Sequence, residues 1–172
     1  LARRARDGEL APMIASVRGA LAALEAQFAQ LLDLSRLEAG ALAPARERVP
    51  LAPLFERLAG EAAAEARSRG LALAFVRTRL AVDSDPALLE RVLRNLVSNA
   101  LRYTARGGVV VGARRRGGEV AIEVVDSGVG IAREHRARVF DEFFQVPGRT
   151  GQPRTGGMGL GLAIVRRFAA LL

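Results

Sequence analysis

The chain has 172 residues, half of them hydrophobic, and no cysteine. That suffices for one ordinary domain with a short appendage, and it excludes a wholly disordered chain, disulfides, thiolate metal sites and a cysteine nucleophile. The net charge of +8 comes from arginine alone, without a single lysine, and the lone histidine, His135, leaves little material for a His-rich metal cluster or a His-based triad.

Arginine without lysine, together with abundant alanine, glycine and leucine, is the composition a GC-rich genome writes. The charge is therefore discounted as a nucleic-acid footprint. Aromatic residues make up 5% of the chain and do not interleave with the arginines as base stacking requires. Neither nucleic acid nor direct membrane contact is expected, since no uncharged apolar run approaches the length of a membrane span. Arg3, Arg4, Arg6 and Asp7 do not make a signal peptide.

In chain order, Leu10, Ile14, Val17, Leu21, Leu24, Phe28 and Leu31 recur at heptad spacing and predict a long helix over 10–38, with Pro12 in its first turn and Gly40 as its stop. Such a stripe needs a partner, either a second helix or a face of its own domain. Pro44 and Pro50 bracket a polar linker leading into a short strand, and a domain boundary is placed near 43. Leu51, Leu54, Phe55, Leu58 and Ala62 predict a second helix ending near Gly70. Leu71–Val76 and Leu80–Val82 read as strands. Ser84-Asp85-Pro86 is a helix start, a capping side chain followed by proline, for a helix reaching Tyr103 or Thr104. Val109–Ala113 and Val120–Val125 read as strands joined by a solvated arginine tip and a Gly117-Gly118 turn. A short helix is expected over 133–139, a long glycine-rich loop over 145–158 and a last helix over 160–172.

Three clusters carry chemistry. At about 100° per residue, Asn95, Asn99 and Arg102 share one stripe of their helix, with Tyr103 at its edge and the apolar face about a right angle away. Asparagine competes for helix backbone hydrogen bonds, so two of them on one face need a reason. Amide oxygens suit Mg²⁺, and an arginine one turn on suits phosphate. Solvated polar residues are the plainer alternative. Asp126 ends a strand, and a buried carboxylate there could accept an exocyclic amine such as that of adenine. Gly128 and Gly130 leave the backbone bare for a flat ligand, although a tight turn would also explain them. Gly156-Gly157-Met158-Gly159-Leu160-Gly161-Leu162 opens the last helix, where exposed N–H groups and the dipole favour phosphate. It is neither a Walker A loop nor a dinucleotide fingerprint.

The order and spacing of these clusters resemble the catalytic, ATP-binding end of bacterial sensor histidine kinases, in the GHKL (Bergerat-fold) superfamily. Residues 89–104 (LERVLRNLVSNALRYT) resemble the family's N box, 126–131 (DSGVGI) its G1 box, 140–144 (FDEFF) its F box and 157–162 (GMGLGL) its G2 box. Residues 31–40 (LLDLSRLEAG) resemble the end of the second helix of a dimerisation and phosphotransfer domain. The wording around 142–145 is similar to that of hybrid kinases carrying a receiver domain.

The resemblance implies a two-layer α/β sandwich, a mixed sheet with helices on one face, after one long heptad-patterned helix. Residues 1–43 would be the second helix of a helical-hairpin dimerisation domain without its first helix. Residues 44–172 would be the ATP-binding catalytic domain, truncated at its C-terminus. It implies ATP and Mg²⁺, with Asn99 on the metal, Asn95 supporting metal and phosphates, Arg102 on phosphate and Tyr103 beside the adenine. Asp126 would take the adenine amine, Gly128, Gly130 and Ile131 would shape the base pocket, and Gly157, Gly159, Leu160 and Gly161 would close on the phosphates. Phe143 and Phe144 would anchor the start of an ATP lid over 145–158, from which Arg149 or Arg154 would reach the γ-phosphate.

Asn95 stands where ATPase branches of the superfamily carry glutamate, and an amide cannot act as a base, so transfer to a protein side chain is favoured over hydrolysis. The implied activity is transfer of the γ-phosphoryl group to a histidine on a dimerisation helix outside this chain. The implied partners are a second copy through the N-terminal helix and a response-regulator receiver domain, with a cytoplasmic location. His135 lacks an H-box context and reads as a surface histidine. The rival readings are a GHKL serine kinase or ATPase, and a degenerate nucleotide-binding or dimerisation scaffold.

Overall fold

The computed structural model describes residues 42–146 and 158–172, together with Met13, Val17, residues 19–21, 24–25, 28–29 and 31–32, Ser35 and Leu37. The chain divides into two compact units, Leu1–Ala41 and Leu42–Leu172. In the first, every described residue from 13 to 37 is helical. The described heptad positions Val17, Leu21, Leu24, Phe28 and Leu31 are all exposed, and Leu10 and Ile14 lie outside the described residues.

The second unit begins with β1 (Glu47–Pro50) and α1 (Leu51–Ser68), followed by β2 (Ala72–Phe75), β3 (Ala81–Ser84) and α2 (Pro86–Tyr103). A hairpin of β4 (Gly108–Arg116) and β5 (Glu119–Asp126) comes next. Two 3₁₀ turns (Arg133–His135, Arg138–Phe140) and α3 (Gly161–Leu171) complete it. The segment expected to be one short helix over 133–139 is thus two separate turns.

The strands form two sheets. β2, β4 and β5 make a mixed sheet in that order, with β2 parallel to β4 and β4 antiparallel to β5. β1 and β3 pair antiparallel as a separate two-stranded sheet, Val49 opposite Val82. The strand after β2 therefore returns to β1, and Leu51 N–H donates to Leu80 C=O at 3.0 Å where the two meet.

Alternation along the three-stranded sheet fixes which face is covered. Leu73 and Phe75 lie opposite Val109 and Val111, and Val111 lies opposite Val124, so these side chains share one face. That face packs against Leu54, Phe55 and Leu58 of α1 and Leu93, Val97 and Leu101 of α2. The Phe55 and Phe75 rings meet edge-on at 5.7 Å. Val110 and Val125, on the other face, are exposed. The result is the two-layer sandwich expected from the sequence.

Turn and cap chemistry follow the sequence closely. Gly117 and Gly118 both take positive φ (58° and 88°), as a two-residue hairpin turn demands. Behind the tip, Arg114 pairs with Glu123 across the strands at 2.6 Å. Between the helices, Glu90 of α2 pairs with Arg57 of α1 and with Arg94, both at 2.7 Å, and Arg94 reaches Glu61 of α1. The Arg57 hydrogen bond holds the Glu90 carboxyl below its usual range.

Asp85 caps α2. Its Oδ1 accepts from Leu88 N–H and its Oδ2 from Ala45 N–H, each at 2.9 Å, so one side chain fixes the helix start and the chain leading into β1. The Leu88 hydrogen bond, aided by that from Ala45 and opposed by desolvation, lowers its pKa. A carboxyl depressed in the folded state adds stability above its unfolded pKa of about 3.9 and loses it as the pH falls through the folded value. Asp85→Ala is expected to cost about 1 kcal/mol at neutral pH in denaturant titration. The gap from wild type should close as the pH drops below about 4.

Candidate functional site

The rotation of α2 about its axis is set by its buried stripe. With Leu93, Val97 and Leu101 pressed on the sheet, the 3.6-residue period turns Asn95 and Asn99 to a neighbouring, half-buried face and leaves Arg102 exposed. Asn95 Nδ2 donates to Arg91 C=O at 3.0 Å, one turn back on the same helix. That bond uses the amide's nitrogen and leaves Oδ1 directed away from its own backbone.

The first residue of α3 meets this stripe. A Cβ on Gly161 would lie 3.2 Å from Asn95 Oδ1 and 3.7 Å from Asn99 Nδ2. The glycine segment entering α3 and the two asparagines thus form one surface. The positive end of an 11-residue helix dipole lies beside two side-chain amides. Leu160, just before it, is completely buried, so it anchors the helix start as a core residue and offers no side chain to a ligand.

The other end of α2 meets the end of β5. Asp126 lies opposite Val109, on the helix-covered face of the sheet, and its Oδ1 accepts from Gly128 N–H at 2.8 Å. The carboxylate is exposed, where the sequence suggested a buried one. The reason is position: it is the last residue of a strand whose only partner among the described residues is β4. Gly128 packs on the carbonyl of Tyr103, the last residue of α2: a Cβ would fall 2.4 Å from that oxygen. Gly130 has open space around it and needs glycine for its φ of 65°. The two glycines therefore do different work, one for close approach and one for backbone conformation. Tyr103 is 56% exposed and Ile131 is also exposed.

Ser127 closes the same corner. Its hydroxyl accepts from Gly108 N–H at 2.9 Å and donates toward Arg106 C=O at 3.2 Å. Nearby in sequence, Thr104 is buried with its Oγ1 unpartnered, the one such side-chain atom among the described residues. Neither residue stood out in the sequence, because both are ordinary turn residues.

The two aromatic residues before the glycine-rich loop differ. Phe144 is held, with Arg138 over its ring at 4.4 Å and the His135 ring at 5.9 Å. Phe143 is 59% exposed, so only one of the two expected anchors is packed. The cause is the backbone: Phe143 has φ of 60°, the one positive value at a non-glycine among the described residues, which swings its side chain outward. Gly159 (φ 75°) lies against this kink, and a Cβ there would fall 2.8 Å from Phe143 C and Phe144 O. His135, expected at the surface, is half-buried beneath Phe144. Gly157, Arg149 and Arg154 lie outside the described residues.

The donor set fits a nucleotide with a lightly held cation. Glycines at 128 and 161 allow close backbone approaches to the Tyr103 carbonyl and to Asn95 Oδ1 that a Cβ would obstruct, and the amide, carboxylate and backbone groups there are the donors and acceptors a nucleotide needs. No group of three His, Cys, Asp or Glu able to hold a metal occurs among the described residues. An ion here would take amide oxygen plus phosphate and water, the pattern Mg²⁺ favours. A separate groove of about 990 Å³ between α1 and β2 contains none of the candidate residues.

Residues 84–172 match the family described as histidine kinase-, DNA gyrase B-, and HSP90-like ATPase. The chain is 40% identical over 148 residues to the sensor-like histidine kinase SenX3 of Mycobacterium tuberculosis, covering 83% of this chain and 35% of that protein. It is 36% identical over 160 residues to the sensor histidine kinase CusS of Escherichia coli, covering 92% and 33%. The chain thus spans about a third of the length of these curated relatives. The crystal structure of full-length ShkA in complex with AMPPNP superposes with a TM-score of 0.76 at 29% identity, over 95% of this chain and 34% of that one.

The glycines give a graded test. Gly130→Ala is expected to cost about 1 kcal/mol, the left-handed strain alone. Gly159→Ala should cost clearly more, because it adds contact with the Phe143–Phe144 backbone, as read by denaturant unfolding.

Proposed function

The chain belongs to the histidine kinase-, DNA gyrase B-, and HSP90-like ATPase family, and we propose that it is the ATP-binding module of a sensor histidine kinase. In this reading it transfers the γ-phosphoryl group of ATP to a histidine on a dimerisation helix outside these 172 residues. One observation carries the reading: the glycine entry of α3 is seated on the Asn95–Asn99 stripe while Asp126 and Gly128 close the far end of the same helix. An adenine-to-phosphate ligand can lie along α2 between them.

The roles follow from the atoms. Oδ1 of Asp126 is engaged by Gly128 N–H, so Oδ2 accepts the adenine amine. Gly128 lets the turn after β5 pack on the Tyr103 carbonyl and so holds Asp126 at the end of α2, with Tyr103 and Ile131 beside the base. Gly159 and Gly161 present backbone N–H groups to the phosphates, Gly157 is assigned the same role from its place in the sequence motif alone, and Arg102 adds its guanidinium. Asn99 supplies an amide oxygen to Mg²⁺, with Asn95 beside it. The ion supplies charge neutralisation at the transferring phosphoryl group. Asn95 cannot take a proton from water, and its nitrogen is already bonded to Arg91. This favours transfer over hydrolysis.

The acceptor reading excludes His135, whose ring is packed on Phe144. The exposed seam of Val17, Leu21, Leu24, Phe28 and Leu31 supports homodimerisation through a helical bundle, which would also carry the acceptor histidine and meet a receiver domain. No helix among the described residues is long and apolar enough to cross a membrane. The need for ATP supports a cytoplasmic location for this part.

Calorimetric titration with ATP tests the reading. Binding strengthened by Mg²⁺, and weakened at least about tenfold in Asp126→Asn, is expected, because the variant's amide puts a donor or a weaker acceptor before the adenine amine. No binding by the folded chain would contradict it.

A further inference from the structure

Two pieces of chain meet beside the Asn95–Asn99 stripe: residues 142–144 and residues 159–167. They touch twice. Gly159 lies against the Phe143–Phe144 backbone, and Glu142 pairs with Arg167 of α3. Between these contacts stands Phe143 with its left-handed backbone. Its own ring is exposed, so its side chain does not hold that conformation. Its neighbours do. Glu142 is tied to Arg167 on one side, and Phe144 is held by Arg138 and His135 on the other. A bulky residue keeps a positive φ only where its surroundings over-determine it.

We propose that Arg167 is a positioning residue for the phosphate end of the nucleotide site. By gripping Glu142 it fixes the Phe143 kink, which fixes the Gly159 contact and so seats Gly161 over Asn95. The inference rests on the nucleotide reading above and adds a residue that touches neither nucleotide nor metal. Both partners are partly exposed, at 39% and 29% of their side chains. Such a pair adds little to global stability. Its effect belongs in the geometry of the segments it joins.

The test titrates the 172-residue chain with Mg²⁺-AMPPNP and, separately, with adenosine. Wild type is compared with Arg167→Met, Glu142→Gln and the swap Glu142→Arg with Arg167→Glu. Each single variant is expected to bind the triphosphate analogue ~3- to 10-fold more weakly, with adenosine affinity unchanged and Tm within a few degrees of wild type. The swap should recover most of the loss. Unchanged triphosphate affinity, an equal loss for both ligands, or a loss that follows a fall in Tm and survives the swap would overturn the proposal. Failure of the wild type to bind AMPPNP would overturn the nucleotide reading instead. Hydrogen exchange in the ligand-free chain still decides the role of Arg167: faster exchange at the Phe144 amide in Arg167→Met supports it, and unchanged exchange overturns it.

Discussion

Everything at the candidate site depends on one close approach, that of Gly161 to Asn95. A methyl group at position 161 would sit 3.2 Å from the Asn95 amide oxygen. The glycine lets α3 begin directly on the polar stripe of α2, so that a helix N-terminus and two amides share one surface. That contact works only if α2 is rotated correctly, and the rotation is set in the core. Leu93, Val97 and Leu101 are buried against the sheet, and the helical period then carries Asn95 and Asn99 to the side where α3 arrives. The site inherits its geometry from apolar packing, and α2 acts as the common wall for both of its ends.

The same helix is the best supported element in the domain. Asp85 caps its start, arginine–glutamate pairs tie it to α1, and Gly128 closes on its last carbonyl. Each polar contact is modest alone, since exposed ion pairs contribute about 0–1 kcal/mol. The segment on the other side of the site is held differently. Its backbone is bent at Phe143 into a conformation costing about 1 kcal/mol or more, and neighbouring side chains hold it there.

The elements were legible in the sequence to a large extent, for physical reasons. Helix α2 was readable because its cap, its proline and its apolar period all agree. The hairpin was readable because two adjacent glycines permit two positive φ values. The Asn95–Asn99–Arg102 stripe followed from helical geometry alone. Other features left no local trace. The Glu142–Arg167 pair joins residues 25 apart through tertiary packing, with no periodic signal. The kink at Phe143 was hidden because phenylalanine gives no sign of a left-handed backbone. The exposure of Asp126 depends on what lies beside β5, which a strand pattern does not encode. Gly128 and Gly130 looked alike in sequence, yet one is needed for space and the other for conformation.

The most direct measurement is a nuclear magnetic resonance titration of the labelled chain with Mg²⁺-AMPPNP and with adenosine. The account predicts that adenosine shifts the amides of Gly128 and Gly130 while leaving the side-chain amides of Asn95 and Asn99 nearly still. The triphosphate should shift both sets, together with Gly161. Shifts confined to the arginine-bearing hairpin, Arg114–Arg116, would instead mean that the ligand is drawn by surface charge alone. That result would contradict a nucleotide site built along α2.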